Sequence, residues 1–391
     1  MSVRIGCGLS TGPDARIAAI EAGTDARQAL EGALADLVIV FCSGAHLAAP
    51  EETLEGVHEA LAPAALAGCG AGGVLGAGRE IEGGTAVTVW AAAFDGGGRA
   101  ETFHAHALPG RQEGEIEVGG MPSAAGASAT LLFPDPYSFP ADRALAELAL
   151  TAPGVPVLGG ISSARTLDGE AALFLDDTVV TGGAVGAVLH GVEILPCVSQ
   201  GAAGIGPVLE ISAVDGHVIR ELDGRPALET LREAIEGLSR HERELVSGGL
   251  LLGVAIDGAH TLHGAHDYLV RGIIGADPEG GTITVGAPVR EGQVVRLHTR
   301  DADSADHDLR SALELRSSAL GGSAAGALVF TCNGRGQNMF GAPDHDADAV
   351  DEELGGAPCS GFFAAGEIGP VGGENFLHGF TATVAVFAGA G

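Results

Sequence analysis

The feature that most restricts how this chain folds is a long unit that recurs along it. The stretch "DLVIVFCSG" (Asp36–Gly44) is an apolar, β-rich run, and "GALVFTCNG" (Gly326–Gly334) is a second run of the same kind. A helix-like acidic stretch and a glycine-rich strand pair follow each run, and the last strand of each pair alternates with period 2. The last unit, from about residue 326, therefore resembles residues 36–94, and the wide spacing indicates duplicated α/β units.

Two further observations support the duplication. Cys42 and Cys69 stand as far apart in sequence as Cys332 and Cys359, which predicts that the two pairs are in register. These cysteines also have an ordinary structural interpretation, as small apolar side chains on neighbouring buried strands. A third, looser copy begins at "ATLLFPDPYSF" (residues 129–139) and continues through "GVPVLGGISSA".

The predicted fold class is α/β, with α+β as the alternative, in two domains built from duplicated strand-loop-helix-strand-hairpin units with mixed sheets. A chain of 391 residues buries a substantial core without disulfide or metal staples. The stretch "ISAVDGHVIRELDG" (211–224) joins a strand to a turn and a helix start, which predicts domains 1–211 and 212–391. Successive strands follow it, and then an amphipathic helix with a glycine stop over residues 305–322.

Charge and cysteine usage restrict the partners and the compartment. All 20 basic residues are arginine and the formal net charge is −31, which argues against nucleic acid and anionic membrane surfaces as partners. The N-terminal "MSVRIGCGLS" lacks the apolar run of a signal peptide, and no stretch approaches the roughly 20 apolar residues of a membrane span. Six cysteines without a C-x-x-C pair are typical of a reduced, cytoplasmic protein.

Two motifs that superficially match a cofactor or metal site have simpler interpretations. "GCGAGG" (Gly68–Gly73) matches G-x-G-x-x-G, but a helix-like stretch precedes it and a strand follows, the reverse of a dinucleotide site. Its glycines instead predict a close approach of two backbones. The acidic run "APDHDADAVDEEL" (342–354) predicts a solvated helix start, where acids suit the helix dipole. No cofactor is predicted.

A histidine cluster gives an alternative metal site. His260, His263 and His266 stand three residues apart, and imidazoles are good metal ligands. The neighbouring Gly264 favours an exposed turn instead, and no metal is predicted.

The loop "FTCNGRGQNMFG" (Phe330–Gly341) carries the candidate binding residues. Gly334 and Gly336 permit converging backbone N–H groups, as in anion-binding nests. Arg335 supplies a planar fork that matches a carboxylate or phosphate. Asn333 and Gln337 add amide donors and acceptors. The loop therefore predicts a site for a small polar ligand, and the structural alternative is a surface turn whose amides cap nearby backbone.

A catalytic function is the alternative hypothesis. Cys332 follows a strand, as many nucleophiles do, and His378 or Glu367 is a distant candidate base. Only Arg335 lies close enough in sequence to lower the pKa of its thiol.

Three segments resemble a known family: "VSQGAAGIGPVLEISAVDGHVIRELDGRPALETLRE" (198–233), "CNGRG" (332–336) and "AAGEIGPVGGENFLHGFT" (364–381). They are similar to the FIST sensory domain, named for F-box and intracellular signal transduction proteins, and the likeness covers roughly residues 30–385. The resemblance implies a bacterial small-ligand-binding sensory module, with amino acids as the proposed ligands. After Gln200-Gly201 the family pattern leads us to expect a Cys-Arg-like pair, but this chain has Ala202-Ala203.

The resemblance and the loop together give the predicted function. We expect a stand-alone, cytoplasmic signalling protein that binds an amino acid or a similar small polar metabolite and passes the signal to a separate, unidentified signalling protein. The predicted ligand-binding residues are Asn333, Gly334, Arg335, Gly336, Gln337, Glu367, His378 and Gln200. The alternative is a cysteine- or histidine-dependent enzyme that uses Cys332 and His378.

Overall fold

The computed structural model describes residues 3–110, 116–246, 249–256 and 268–389. The chain forms two compact units. A three-sheet unit comprises Met1–Ser199, Leu309–Leu377 and Ala382–Gly391, and a barrel unit comprises Gln200–Asp308 and His378–Thr381. The predicted domains 1–211 and 212–391 follow the order of the sequence, and the compact units divide the chain differently.

The first repeat alternates strands with two helices that cover one face of its sheet. Its elements are β1 (Val3–Ser10), α1 (Ala15–Gln28), β2 (Leu37–Ser43), α2 (Pro50–Leu61), β3 (Leu66–Ala71), β4 (Val74–Gly76), β5 (Arg79–Ile81) and β6 (Ala86–Phe94), with a 3₁₀ turn at Gly44–Ala48. Asp14 caps α1, because its carboxylate accepts a hydrogen bond from the N–H of Ile17. The strand β2 is buried along its whole length, as expected of a strand that is covered on both faces.

The second repeat has one helix and a long edge hairpin. Its elements are β7 (Arg99–Pro109), β8 (Ile116–Gly119), β9 (Ala129–Pro134), α3 (Ala141–Thr151), β10 (Val157–Gly160), β11 (Leu173–Leu175), β12 (Thr178–Val180) and β13 (Ala184–His190). The strand β14 (Ile194–Gln200) then leads into the barrel unit.

The segment that follows forms most of the barrel unit. Its elements are β15 (Ala202–Asp215), β16 (Val218–Leu222), β17 (Arg225–Pro226), α4 (Ala227–Glu236), α5 (Arg240–Val246), β18 (Leu250–Ala255), β19 (Tyr268–Asp277), β20 (Thr282–Val285) and β21 (Val294–Arg300). The third repeat comes after it, with α6 (Ala302–Ala319), β22 (Ala324–Cys332), α7 (Gln337–Phe340), α8 (His345–Glu353), β23 (Cys359–Ala364), β24 (Glu367–Val371), β25 (Glu374–His378) and β26 (Thr381–Ala388).

The same strand pairing recurs in all three repeats. The strand β2 runs parallel to β3 and antiparallel to β6, and β22 runs parallel to β23 and antiparallel to β26. The looser copy repeats this, since β9 is parallel to β10 and antiparallel to β13. The predicted α/β class with duplicated units and mixed sheets is therefore confirmed.

Each repeat donates its short hairpin to the sheet of another repeat. The β4–β5 hairpin of the first repeat pairs antiparallel with β23 of the third. The β11–β12 hairpin of the second repeat extends β3 of the first, and the β24–β25 hairpin of the third extends β10 of the second. The exchange is cyclic, so every one of the three sheets contains strands from two repeats.

Side chains that alternate along the strands form a common core within the three-sheet unit. On β2, Leu37, Ile39 and Phe41 belong to a core to which all three sheets contribute. The alternate residues Val38 and Val40 pack instead in a separate cluster with α1 and α2. Because side chains on a strand alternate between faces, each sheet is covered by the shared core on one side and by helices on the other.

Three equivalent phenylalanines occupy the centre of this core. The ring of Phe41 on β2 lies 5.4 Å from that of Phe133 on β9 and 6.4 Å from that of Phe330 on β22. The rings of Phe133 and Phe330 are 5.8 Å apart, and Phe362 on β23 packs against all three. These aromatic contacts lie beneath the loops that follow the three central strands.

Glycines allow the parallel strands to approach closely at matching positions. A Cβ atom on Gly68 would lie 1.8 Å from the carbonyl oxygen of Val40, and one on Gly361 would lie 1.8 Å from that of Val329. Gly159 has the corresponding contact in the second repeat, at 2.0 Å. The interpretation of "GCGAGG" as a site of close backbone approach is confirmed, since Gly68 belongs to β3 and a strand follows it.

The predicted register of the cysteines is wrong, by one residue at Cys332 and by three residues at Cys359. Phe41 and Phe330 occupy matching positions, because they lie opposite Thr88 and Thr383 in the two equivalent strand pairs. Counting onward from these phenylalanines, the residue equivalent to Cys332 is Ser43 and not Cys42. The equal spacing of the cysteines is therefore coincidental, although each pair does lie on neighbouring strands as predicted.

The barrel unit is a closed antiparallel barrel. Its strands pair in the order β15, β21, β18, β19, β20 and β16, and β16 returns to β15. Leu209, Ile219, Leu252 and Leu297 contribute to its apolar core, against which Leu231 of α4 packs. Within the described part of the chain, no helix combines the length and apolar character needed to cross a membrane.

Candidate functional site

The predicted site residues fall into two groups. Asn333, Gly334, Arg335, Gly336, Gln337 and Glu367 belong to the three-sheet unit, as does Cys332, whereas Gln200 and His378 belong to the barrel unit. His260, His263 and His266, the alternative metal ligands, lie outside the described residues.

Arg335 forms a buried ion pair. Its side chain is only 2% exposed, and its Nε and Nη2 atoms donate to the two carboxylate oxygens of Asp346 at 2.8 Å each. The hydroxyl of Thr331 donates to the same carboxylate at 2.5 Å, and His345 Nδ1 lies 2.9 Å from it. Burial opposes ionisation of Asp346, but Arg335 outweighs it and holds the pKa of that carboxyl well below its ordinary value.

The helix that carries Asp346 begins where the sequence predicts, but its first turn is not solvated. Asp346 is 1% exposed. The carboxylate of Glu80, on the β5 strand of another repeat, accepts hydrogen bonds from the N–H groups of Asp346 and Ala347 at 2.9 and 3.1 Å. The predicted solvated start is thus wrong at Asp346, because an exchanged hairpin covers it and caps α8.

Glu80 is itself strongly perturbed. Burial, and then the nearby charge of Asp346, raise the pKa of Glu80 to about 8. Its Oε2 atom is buried without a hydrogen-bond partner among the described residues. A buried carboxylate oxygen without a donor is costly, which favours the protonated form at neutral pH.

The rest of the loop also makes internal contacts. The N–H of Gln337 donates to Glu82 Oε1 at 2.7 Å, and the same carboxylate leaves no room for a side chain at Gly336. Gly336 has a φ of +88°, which only glycine adopts readily. The exposed Asn333 lies next to Gly72. That these residues bind a ligand stays a prediction.

Glu367 and Cys332 lie near Arg335, as expected from the repeat. Cys332 pairs with Ala364, three residues before Glu367. Both Cys332 and Glu367 are among the groups whose charge acts on the Arg335 guanidinium. Glu367 is fully buried in the strand pair that β24 forms with β10. His378 belongs to the other unit, and its pairing with Cys332 in an enzyme stays a prediction.

The barrel unit contains a cavity of about 260 Å³ that is open to solvent. Ten residues line it: Gln200, Ala202, Ala203, Gly204, Tyr268, Arg296, His298, Ser304, His307 and Asp308. Gln200 is the predicted site residue among them. Ala202 and Ala203, where the family pattern led us to expect a Cys-Arg-like pair, also lie on its wall.

Gln200, which lines this cavity, carries an unsatisfied acceptor. The residue is 4% exposed, and its side-chain Nε2 donates to the carbonyl oxygen of Tyr268 at 2.6 Å. Its backbone N–H donates to Asp308 Oδ2 at 2.7 Å. The Oε1 atom is buried and has no donor among the described residues. A buried amide oxygen in this position needs an N–H or O–H group to complete its hydrogen bonding.

The strand β21 supplies a cation and an imidazole to the cavity. Val295 and Leu297 pack into the apolar core of the barrel, and the alternate residues Arg296 and His298 line the cavity. Arg296 Nε donates to the carbonyl oxygen of Gly206 at 3.1 Å, which fixes the guanidinium on this wall. Arg296 therefore places a cation in the same cavity as Ala203, where the family pattern led us to expect one.

His298 is held neutral in the cavity wall. It is 2% exposed, and burial lowers its pKa below the ordinary value. Its Nδ1 lies 3.0 Å from the carbonyl oxygen of Arg296, an acceptor, so Nδ1 carries the proton and Nε2 remains an acceptor. The ring packs against Tyr268 with centroids 5.2 Å apart.

Two glycines make room for these side chains. A Cβ atom on Gly253 would lie 2.2 Å from Cε1 of His298, so a larger residue would displace the imidazole. A Cβ atom on Gly204 would lie 3.3 Å from the Arg296 side chain. The first turns of α6 close the cavity with Ser304, His307 and Asp308. The cavity thus combines a cation, a carboxylate and several acceptors within a small volume.

The second predicted residue of the barrel unit, His378, lies in the segment that supports Gln200. The N–H of Gly201 donates to the carbonyl oxygen of Phe380 at 2.9 Å. Phe380 packs with Ala202 and stacks under Arg300, whose guanidinium carbon is 4.3 Å from the ring centroid. His378 is buried and is not among the residues that line this cavity.

Sequence reasoning missed most of the cavity. Arg296, His298, Tyr268 and Asp308 were not predicted, because they lie about 70 to 110 residues from Gln200 and only the barrel brings them together. The available signal was the alternation of polar and apolar residues in "VVRLHTR", which places Arg296 and His298 on the same strand face.

Two models of one protein family together match most of this chain. The FIST N domain model matches residues 36–225 and the FIST C domain model matches residues 227–370, so the chain belongs to the FIST family. FIST domains are associated with signal transduction and small-ligand sensing. Gln200 falls in the first match, and Arg296 and Asp308 fall in the second.

The chain is also similar to mycobacterial proteins along almost its whole length. An uncharacterized protein of Mycobacterium tuberculosis is 44% identical over 385 residues, which cover 98% of this chain and 100% of the relative. An uncharacterized protein of Mycobacterium bovis is likewise 44% identical over 385 residues, covering 98% of this chain and 99% of the relative.

Proposed function

We propose that the protein senses an amino acid or a similar small polar metabolite, which binds in the barrel cavity. The observation that carries this proposal is the buried Gln200 Oε1, which lacks a donor among the described residues and belongs to a residue that lines the cavity. A ligand N–H group would satisfy it. The family match, with its association with signal transduction, supports a sensory function.

The charges of the cavity match a zwitterion. An ammonium group has three N–H donors, and Gln200 Oε1, His298 Nε2 and the Asp308 carboxylate are acceptors on residues that line the cavity. A carboxylate on the same ligand would bind Arg296, whose planar fork suits it. The volume of about 260 Å³ restricts the ligand to a small molecule.

The signal itself requires a partner. We propose that a separate signalling protein distinguishes the ligand-bound from the ligand-free state, because a ligand changes an equilibrium only through its different affinity for two states. We place this function in the cytoplasm. None of the six cysteines forms a disulfide, which suits a reducing compartment.

Thermal denaturation of the full chain with the common amino acids and small carboxylic acids tests the proposal. A ligand at 100 times its Kd adds about 2.7 kcal/mol of stability, which raises Tm by several degrees. We expect Gln200→Leu and Arg296→Gln to abolish the shift. Arg220→Gln is the matched control, since Arg220 is an exposed arginine of the same barrel that forms a surface ion pair with Asp215.

Derivatives of an active amino acid then test its orientation. The carboxamide removes the negative charge that Arg296 would bind, and the N-acetyl form removes the ammonium charge and leaves a single amide N–H for Gln200 to accept. We expect both to lose binding. If no compound shifts Tm, or if the shift survives in both cavity variants, the barrel cavity is not the sensory site.

A further inference from the structure

Exposed apolar side chains lie together where α3 covers the strand β8. A groove of about 310 Å³ runs between these two elements, and it is lined by Glu117, Val118, Arg143, Ala146, Glu147 and Leu150. Leu150 is 84% exposed. Val118 packs against the core that α3 covers, and the exposed Ile116 lies on the same face of β8 because it is two residues away. Large apolar side chains grouped beside a groove are typical of an interaction site.

The strand β8 also has an open backbone edge. It pairs antiparallel with β7 on one side, and among the described residues it is the last strand of its seven-stranded sheet. In an antiparallel pair, alternate N–H and C=O groups of the outer strand point away from its neighbour. Such an edge is a template for pairing with a strand of another chain. The groove and the open edge thus belong to the same strand.

The charged residues of the groove have both signs. Arg143, Glu117 and Glu147 take part in none of the ion pairs between described residues, whereas other surface arginines, such as Arg16 and Arg225, pair with carboxylates of their own chain. A basic partner would meet Arg143, and an acidic partner would meet the two carboxylates. A surface with both signs is complementary to itself when a two-fold axis places each sign opposite the other.

We propose that this face binds a second copy of the chain. The β8 edges of the two copies pair antiparallel about a two-fold axis, which continues the sheet and places the two α3 helices side by side on it. With the axis near Ala146, a small residue, the antiparallel helices approach closely. Arg143 of each copy then lies beside the partner subunit's Glu147, and Leu150 is buried between the helices.

The net charge of −31 on each copy opposes this association. At about 0.15 M salt the Debye length is about 8 Å, so the long-range repulsion between the copies is largely screened. Close contacts within a buried groove are screened much less. The association is therefore measured at this salt concentration.

Sedimentation velocity of the full chain over a range of concentrations tests the proposal. We expect the unsubstituted chain to form a dimer that dissociates on dilution. Leu150→Glu is expected to weaken the dimer about a hundredfold, because the two-fold axis puts the substitution into the interface twice and each copy costs about tenfold. Leu34→Glu is the matched control, since Leu34 is 81% exposed in the same unit and lies outside the groove, and its dimer is expected to be unchanged. A chain that is monomeric at every concentration, or a dimer that Leu150→Glu leaves unchanged, overturns the proposal.

A charge exchange tests the two-fold pairing itself. Arg143→Glu leaves only carboxylates among the charged groups of the groove, and it is expected to weaken the dimer at least about tenfold. The double variant Arg143→Glu/Glu147→Arg restores one cation and two carboxylates to each copy, and we expect it to recover most of the affinity. A double variant as weak as Arg143→Glu overturns the proposed pairing.

The variants are chosen so that folding and ligand binding stay unaffected. Arg143, Glu147, Leu150 and Leu34 are all exposed, and a Tm equal to that of the unsubstituted chain verifies that each variant folds. None of these positions belongs to the barrel unit. The outcome is therefore independent of the proposed sensory function.

Discussion

Arg335 and Asp346 form a side-on, two-point ion pair in which both side chains are almost completely buried. The pair joins the loop after β22 to the first turn of α8, and Glu80 closes it from an exchanged hairpin. The arginine that the sequence offers as a ligand-binding group is thus also part of the folded framework.

Removing one member of this pair is expected to destabilise the three-sheet unit. Arg335→Met leaves Asp346 buried without its counter-ion, and such a change costs about 3–5 kcal/mol. Chemical denaturation measures the loss. The double variant Arg335→Met/Asp346→Leu is expected to recover much of it, because no buried charge remains. Equal stability of the single and double variants would contradict this account.

Glu80 is expected to make the protein less stable as pH rises. Its folded pKa of about 8 lies above the ordinary value of 4.5, so its stabilising contribution is complete below pH 4.5 and is lost as pH rises through 8. Within that window the slope is about 1.4 kcal/mol per pH unit. Denaturation of Glu80→Gln at several pH values is expected to show a flatter profile. Glu55→Gln, at an exposed surface position, is the control, and its profile is expected to match the unsubstituted protein.

Asp346 has the opposite pH dependence. Arg335 holds its pKa below the ordinary value of 3.8, so its contribution is present above pH 3.8 and is lost as pH falls. We expect acid unfolding of the unsubstituted chain to begin below that pH. Asp346→Asn removes the titrating group, and acid titration followed by circular dichroism is expected to lose this step.

The close-approach glycines are expected to tolerate no side chain. A methyl group at Gly68 or Gly361 meets a backbone carbonyl oxygen at 1.8 Å, which forces the parallel strands apart. We expect each alanine variant to unfold at a markedly lower denaturant concentration. Gly83→Ala is the control, since nothing lies within 4 Å of its Cβ position. A small effect at Gly68 would mean that β2 and β3 separate easily.

Gly253 tests the cavity without changing a polar group. A methyl group there collides with the His298 ring, which moves and disrupts the proposed ligand contacts. We expect Gly253→Ala to weaken binding of any ligand found by thermal denaturation by about tenfold, the effect of roughly 1.4 kcal/mol. Calorimetric titration measures the change, with Gly275→Ala on β19 as the control because only ordinary contacts surround its Cβ position.

The repeat was predictable because its signals are local. Apolar runs such as β2 and β22, followed by helix-like stretches and glycine-rich hairpins, carry their periodicity within a few residues. The hairpin exchange was not predictable in the same way, because β4 has the same local sequence whether it pairs with β3 or with β23. Pairing between distant strands depends on the whole core. The three phenylalanines occupy equivalent positions in the repeats, whereas the cysteines from which the register was predicted do not.

The candidate site was likewise predictable only in part. Gln200 was found from the family resemblance, but its partners Arg296 and Asp308 come from strands and helices far along the chain. Arg335 was predicted to bind a ligand, because its planar fork lies in a loop rich in glycine and amides. Its burial depends on Asp346 and Glu80, and no local pattern shows that these three residues meet.

The cyclic exchange of hairpins has a consequence for how the three-sheet unit melts. In a linear repeat array each module rests mainly on its neighbours, and modules can be lost stepwise from an end. Here the three repeats form a closed cycle without a terminal module, since every repeat adds its hairpin to the sheet of one repeat and receives the hairpin of the other. If one repeat unfolds, a second repeat loses the hairpin that extends its sheet, and the hairpin of the remaining repeat loses the sheet with which it pairs. We therefore expect the three repeats to unfold in one all-or-none transition.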